Sequence, residues 1–71
     1  MTIGEIIRKK RKAIEVKEGE LADEIGVSGN TISRWEVGEA FPSLMNAMAL
    51  ADFFDCSLDE LVGREYEREK W

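Results

Sequence analysis

The 71-residue chain predicts an all-α fold, five short helices packed into one compact domain. Three observations carry that expectation. Apolar residues recur at three- and four-residue steps in five separate segments. Thr2, Ser28, Ser43 and Ser57, all residue types that cap helix N-termini, stand just ahead of four of them. Gly26 and Gly38 stand where the second and third should stop. A chain this short buries only ~60% of the surface its unfolded form exposes, and compact helices are a reasonable solution at that size.

The first helix should run from about Thr2 to Ala13, with Thr2 as its cap and Ile3, Ile6, Ile7 and Ile14 as the inward stripe. The basic run from Arg8 to Lys12 lies on its far side. The second, Glu18 to Ile25, begins poorly, because Lys17 has no capping oxygen and Gly19 weakens the first turn by ~1 kcal/mol relative to alanine. Leu21, Ala22 and Ile25 face inward from it, and Ala22 is small enough to admit a crossing helix. Gly26 accepts a left-handed conformation that costs a residue with a side chain roughly 1 kcal/mol. Ser28 caps the third helix, Gly29 to Val37, in which Ile32 and Trp35 point inward.

A loop of Glu39, Ala40, Phe41 and Pro42 leads to Ser43, the cap of the fourth helix. That helix runs from Leu44 to Phe54, with Leu44, Ala47, Met48, Ala51 and Phe54 at inward spacing. Ser57 with Glu60 forms a capping box for the fifth, where Leu58, Leu61 and Val62 turn inward. Residues 1–63 thus read as one domain. Residues 64–71, REYEREKW, form a charged tail without a core pattern, although Tyr66 lies one turn beyond Val62 and allows the fifth helix to continue.

Composition excludes several functions. Hydrophobic residues at 44% and charged residues at 35% suit a globular protein, and no apolar run approaches the ~20 residues of a membrane span. The N-terminal apolar residues alternate with charges, unlike a secretory signal. One cysteine, Cys56, precludes an internal disulfide, and with no histidine neither a structural metal site nor general acid–base catalysis is expected. No cofactor and no enzyme activity are implied, and the cytoplasm is the expected address. The net charge of −5 is segregated. Residues 1–14 carry +4, 15–27 carry −4, 28–42 carry −1, 43–63 carry −4, and the tail is neutral.

The order ELADEIGVSGNTISRWEV, then P-S-L, then S-L-D-E-L, with IGEIIRKKRK ahead of it, resembles the lambda-repressor-like or Xre-type helix-turn-helix domains of phage Cro proteins, phage repressors and bacterial regulators. The resemblance covers about Ile3 to Gly63. It implies a compact five-helix domain whose second and third helices form the helix-turn-helix. It also implies a sequence-specific transcriptional regulator, a repressor of phage, prophage or bacterial origin acting on a double-stranded DNA operator, as a homodimer at least on DNA.

Base-edge recognition needs matched donors and acceptors on the exposed N-terminal half of a helix in the major groove. Asn30 and Arg34, one turn apart, have that chemistry: asparagine pairs bidentately with adenine and arginine with guanine. The plainer reading is a turn-favouring asparagine and a solvated charge. The resemblance adds Gly29 and Ser33 as base-facing positions and Ser28 as a phosphate contact. Thr31 suits a phosphate, a thymine methyl or helix packing. Arg8 and Lys12 are cationic candidates for the flanking backbone, or a solvated face. The resemblance further implies an enclosed salt bridge between Arg11 and Glu36. A dimer surface is expected on the fifth helix and tail, at Val62, Tyr66 and Trp71.

Three departures weigh against ordinary DNA binding. Glu18 stands where relatives often place a phosphate-binding glutamine, with Lys17 beside it to take over the contact. The loop after the third helix carries Glu39, Ala40 and Phe41 in place of basic residues, and Val37 replaces a polar one. The alternative is therefore a protein-interaction module of the same fold, regulator- or antitoxin-like, with weak or lost DNA binding.

Overall fold

The structure, a computed structural model, describes residues 1–63. Five helices follow one another: α1 (Ile3–Ala13), α2 (Glu18–Ile25), α3 (Gly29–Val37), α4 (Leu44–Phe54) and α5 (Leu58–Val62). Each fully buried large side chain comes from a different helix: Ile7, Leu21, Ile32, Leu50 and Leu61. Full burial of such a side chain stabilises by ~1.5–3 kcal/mol, so every helix is tied to one shared centre. Around it α3 packs on α1 and α2, α5 on α1 and α4, and α4 on α2.

The helix starts follow local hydrogen bonding. Thr2 makes a full capping box: its hydroxyl accepts the Glu5 N–H at 3.2 Å and the Glu5 carboxylate accepts the Thr2 N–H at 2.8 Å. The Thr2 hydrogen bonds, the backbone one foremost, hold the Glu5 carboxyl below its ordinary pKa. Lys17 gives α2 no side-chain cap, as expected, but Glu20 reaches back to accept the Lys17 N–H at 2.9 Å and settles one end of the box. At α5 the box is half made. Ser57 accepts the Glu60 N–H at 3.0 Å, while the Glu60 carboxylate turns to an ion pair with Lys10 on α1.

Several expected core positions lie outside it. Ile14 is exposed because α1 ends at Ala13 and the chain turns away through Glu15, whose φ is +57°. The buried face of α1 carries Ile6 and Ile7 as expected, with Ile3 partly buried, and ends in Arg11. On α4, Leu44 and Met48 are exposed and Leu50 takes the buried place, flanked by Ala47 and Ala51. That helix is apolar nearly all round, so spacing alone does not choose its face. α5 is a turn and a half long, and only Leu61 reaches the core; Leu58 and Val62 are exposed. Phe54 is half-buried and meets Phe53 edge-to-face at 5.3 Å, with both rings against the core.

Gly4 sets the distance between α1 and α3. A Cβ there would overlap the Trp35 carbonyl oxygen and lie 2.8 Å from that of Glu36, both rigid backbone atoms. Gly4→Ala is therefore expected to push α1 off the C-terminal turn of α3 and to destabilise the fold by ~1–3 kcal/mol despite alanine's better helix propensity, read from urea denaturation. Unchanged or raised stability would show that α1 can shift without loss.

Candidate nucleic-acid interface

The turn between α2 and α3 is closed by the local sequence. Gly26 adopts φ +86°, its N–H bonds to the Ala22 carbonyl at 2.8 Å, and Val27 bonds to the same oxygen at 3.0 Å. Ser28 then starts α3, its hydroxyl accepting the Thr31 N–H at 3.1 Å. A Cβ on Gly29 would sit 3.8 Å from the Gly19 Cα. The first turns of α2 and α3 therefore lie side by side, and their free amides and positive dipole ends share one region of the surface.

Asn30 and Arg34 are both exposed, one turn apart on α3, and Arg34 forms no ion pair with a described residue. Ser33 is half-buried beside them. Gly29 is half-buried against α2, so it offers backbone and no reading side chain. The opposite side of α3, Ile32, Trp35 and Glu36, is buried, as expected of the first two. Ser28 and Thr31 join their hydroxyls at 2.9 Å. One hydroxyl hydrogen of the pair remains after that bond, and it can donate to an outside acceptor such as a phosphate oxygen. Arg8, Lys12 and Lys17 are exposed and without an ion pair among the described residues.

Arg11 and Glu36 form the enclosed bridge that was expected. Nε donates to Oε2 at 2.7 Å and Nη2 to Oε1 at 3.0 Å, while Nη1 donates to the Val16 carbonyl at 2.9 Å. The Glu36 side chain is 2% exposed and that of Arg11 10%. The hydrogen bonds that Arg11 donates to Glu36 lead in raising the guanidinium pKa, and the charges of Glu36 and Glu18 add to them.

Sequence reasoning missed Gly4, the Glu20 half-box and the Lys10–Glu60 pair joining α1 to α5. Gly4 carried a signal: a glycine inside a helical pattern costs ~1 kcal/mol and so points to a close approach. Nothing in the sequence marked Glu60 for Lys10, because the partners lie 50 residues apart. Burial raises the pKa of the Cys56 thiol, which favours its protonated form. Among the described residues no group of three potential metal ligands occurs, and no helix is long and apolar enough to cross a membrane. Of the expected dimer surface, Val62 is exposed; Tyr66 and Trp71 lie outside the described residues.

Two short helices crossing through a glycine turn, the second buried on one side and presenting asparagine and arginine on the other, define a helix-turn-helix domain. A family model described as helix-turn-helix matches residues 7–61, and the chain belongs to that family, the lambda-repressor-like or Xre type. It is 41% identical over 90% of its length to the cryptic phage CTXphi transcriptional repressor RstR of Vibrio cholerae, and 38% identical over 84% to repressor protein C2 of Salmonella phage P22. It spans 57% and 28% of those two proteins. The crystal structure of the P22 c2 repressor in complex with a synthetic operator superposes with a TM-score of 0.86 at 35% identity, covering 92% of this chain and 98% of that one.

Removing one partner of a buried, hydrogen-bonded ion pair typically costs ~3–5 kcal/mol. Glu36→Ala is expected to lower the melting temperature by more than ~10 °C, and Arg11→Met with Glu36→Leu to recover most of the loss, by circular dichroism melts. A single variant that melts like the wild type would leave the pair no role in fixing α3.

Proposed function

We propose that this chain is a sequence-specific double-stranded DNA-binding transcriptional regulator, a repressor that acts by occupying an operator, with residues 1–63 as the DNA-binding domain. One observation carries most of the weight: Asn30 and Arg34 stand exposed one turn apart on a helix whose other side is locked into the core. A freely rotating helix reads nothing, whereas a fixed one presents its donors at a set angle to the groove. The relatives support the reading, two being named repressors and the solved P22 protein being in complex with operator DNA.

In this reading Asn30 and Arg34 face base edges, with Ser33 beside them and Gly29 letting the backbone approach closely. Ser28 and Thr31 offer a hydroxyl to a phosphate, joined by the amides at the first turns of α2 and α3. Lys17 takes over the phosphate position that Glu18 cannot fill, because a carboxylate does not donate and repels a phosphate. Arg8 and Lys12 reach the flanking backbone. The protein works in the cytoplasm, without catalysis and without a cofactor, as a twofold dimer on a site of two half-sites. With a net charge of −5, affinity for random duplex is weak and discrimination rests on the few base contacts.

Selection from a randomised duplex library is expected to enrich a twofold-symmetric site. Arg34→Ala and Asn30→Ala should each weaken that site by ~1–3 kcal/mol, on the order of 10- to 100-fold, and relax preference at one position per half-site. Lys12→Ala should weaken all sequences alike and flatten the salt slope by about one. If folded protein enriches no sequence at low salt, the reading is rejected in favour of a protein-interaction module.

A further inference from the structure

A hollow of about 530 Å³ opens between α1 and α5 and shares no lining residue with the candidate interface. Met1, Ile6, Ala13 and Gly63 supply its apolar lining, and Lys9, Lys10, Asp59 and Glu60 supply charge of both signs. Lys10 and Glu60 satisfy each other in the ion pair that joins the two helices. Lys9 and Asp59, exposed and unpaired among the described residues, are left as its free charges.

The chain itself leads into this hollow. α5 stops at Gly63, whose φ of +75° turns the backbone out of the helix. A Cβ on Gly63 would lie 2.6 Å from the Met1 carbonyl oxygen and 2.9 Å from Ile6 Cδ1, so the chain leaves the domain pressed against the hollow's own lining. Three residues on comes Tyr66, the single tyrosine. Three residues span at most ~10 Å, which is about the width of a hollow of this volume, so the ring falls within its reach.

The chemistry matches on both counts. A tyrosine ring is apolar and its hydroxyl polar, which suits a site that is apolar on one side and wet on the other. Glu65 and Glu67 flank the tyrosine, with Arg64 and Arg68 outside them, so the segment has a carboxylate to answer Lys9 and a guanidinium to answer Asp59. Tethering then decides between occupants. A short tether holds the ring at an effective concentration in the millimolar range, so a contact of only ~1 mM affinity is half filled in every molecule. A second copy or a free peptide would have to reach that concentration to compete.

We propose that residues 64–67 fold back over the hollow between α1 and α5 and lay the Tyr66 ring against Ile6 and Ala13. The segment adds to the Lys10–Glu60 pair as a second tie between the two helices, and Tyr66, expected on a dimer surface, serves its own domain instead. The assignment goes beyond operator binding and is independent of it.

Nuclear Overhauser spectra of the whole chain test it, because a single tyrosine leaves its ring signals unambiguous. Cross-peaks from the Tyr66 ring to the Ile6 and Ala13 methyl groups are expected, unchanged on dilution. Tyr66→Ala should lower the melting temperature by at least ~4 °C and Tyr66→Phe, which keeps the ring, by less than ~1 °C. Ala13→Gln, at an exposed position, should lower it in the wild type and not in the Tyr66→Ala background, since both act on one contact. Absent cross-peaks, a Tyr66→Ala chain that melts like the wild type, or additive effects of the two substitutions overturn the proposal. Cross-peaks seen only between differently labelled copies overturn it in favour of a second copy as the occupant.

Discussion

The Arg11–Glu36 pair is the constraint on which the presentation of α3 depends. Two charges removed from water are expensive unless each is paired and its remaining donors are satisfied. Here that condition is met by geometry: two bonds to one carboxylate and a third to the Val16 carbonyl. The satisfaction is directional, because a planar guanidinium meets a carboxylate well only over a narrow range of angles. An apolar pair in the same place can pack as well, yet without directional bonds it would allow α3 to rotate or slide. The ion pair fixes α1, the α1–α2 connection and the last turn of α3 together. The exposed row of Asn30 and Arg34 inherits that fixed orientation.

Small residues let the constraint act at short range. Gly4 brings α1 onto the carbonyls of Trp35 and Glu36, so the pair closes where the two backbones nearly touch. At the other end the first turns of α2 and α3 lie side by side, Gly29 against the Cα of Gly19. Between these two approaches Ile32 and Trp35 fill the core from α3. The helix is thus held at both ends by backbone proximity and along its length by burial. A short helix needs such support, since nine residues are too few to be stable in water unaided.

Much of this was legible in the sequence where one residue type has one physical use. Gly26 and Gly38 end helices at positive φ, the serine caps lie where expected, and the bounds of α2, α3 and α4 follow from them. The face of a helix was legible only where polar residues alternate with apolar ones, as in α3. On α4, nearly every residue is apolar, and spacing favoured Leu44 and Met48 over Leu50. On α1, the inward row ends in Arg11, which periodicity alone assigns to solvent; only the family resemblance returned it to the interior. Long-range pairs such as Lys10 with Glu60 have no local signature, and Glu60 was accordingly given to a capping box. Within the candidate interface, the exposure of Asn30 and Arg34 was foreseen, whereas the half-burial of Gly29 against α2 depends on a helix crossing that sequence does not measure.

Charge distribution shapes the candidate interface. The cations are concentrated on α1, and the amide-bearing first turns of α2 and α3 add positive potential without adding charge. Of the α2 carboxylates that would oppose them, Glu20 is engaged, accepting the Lys17 N–H. An acidic protein arranged in this way loses most of the sequence-independent attraction that holds basic domains to any duplex. What remains is contact energy at particular bases, so a greater share of its binding discriminates between sequences. A single copy contributes few such contacts. On the proposed reading, a twofold dimer doubles them without restoring the sequence-independent attraction.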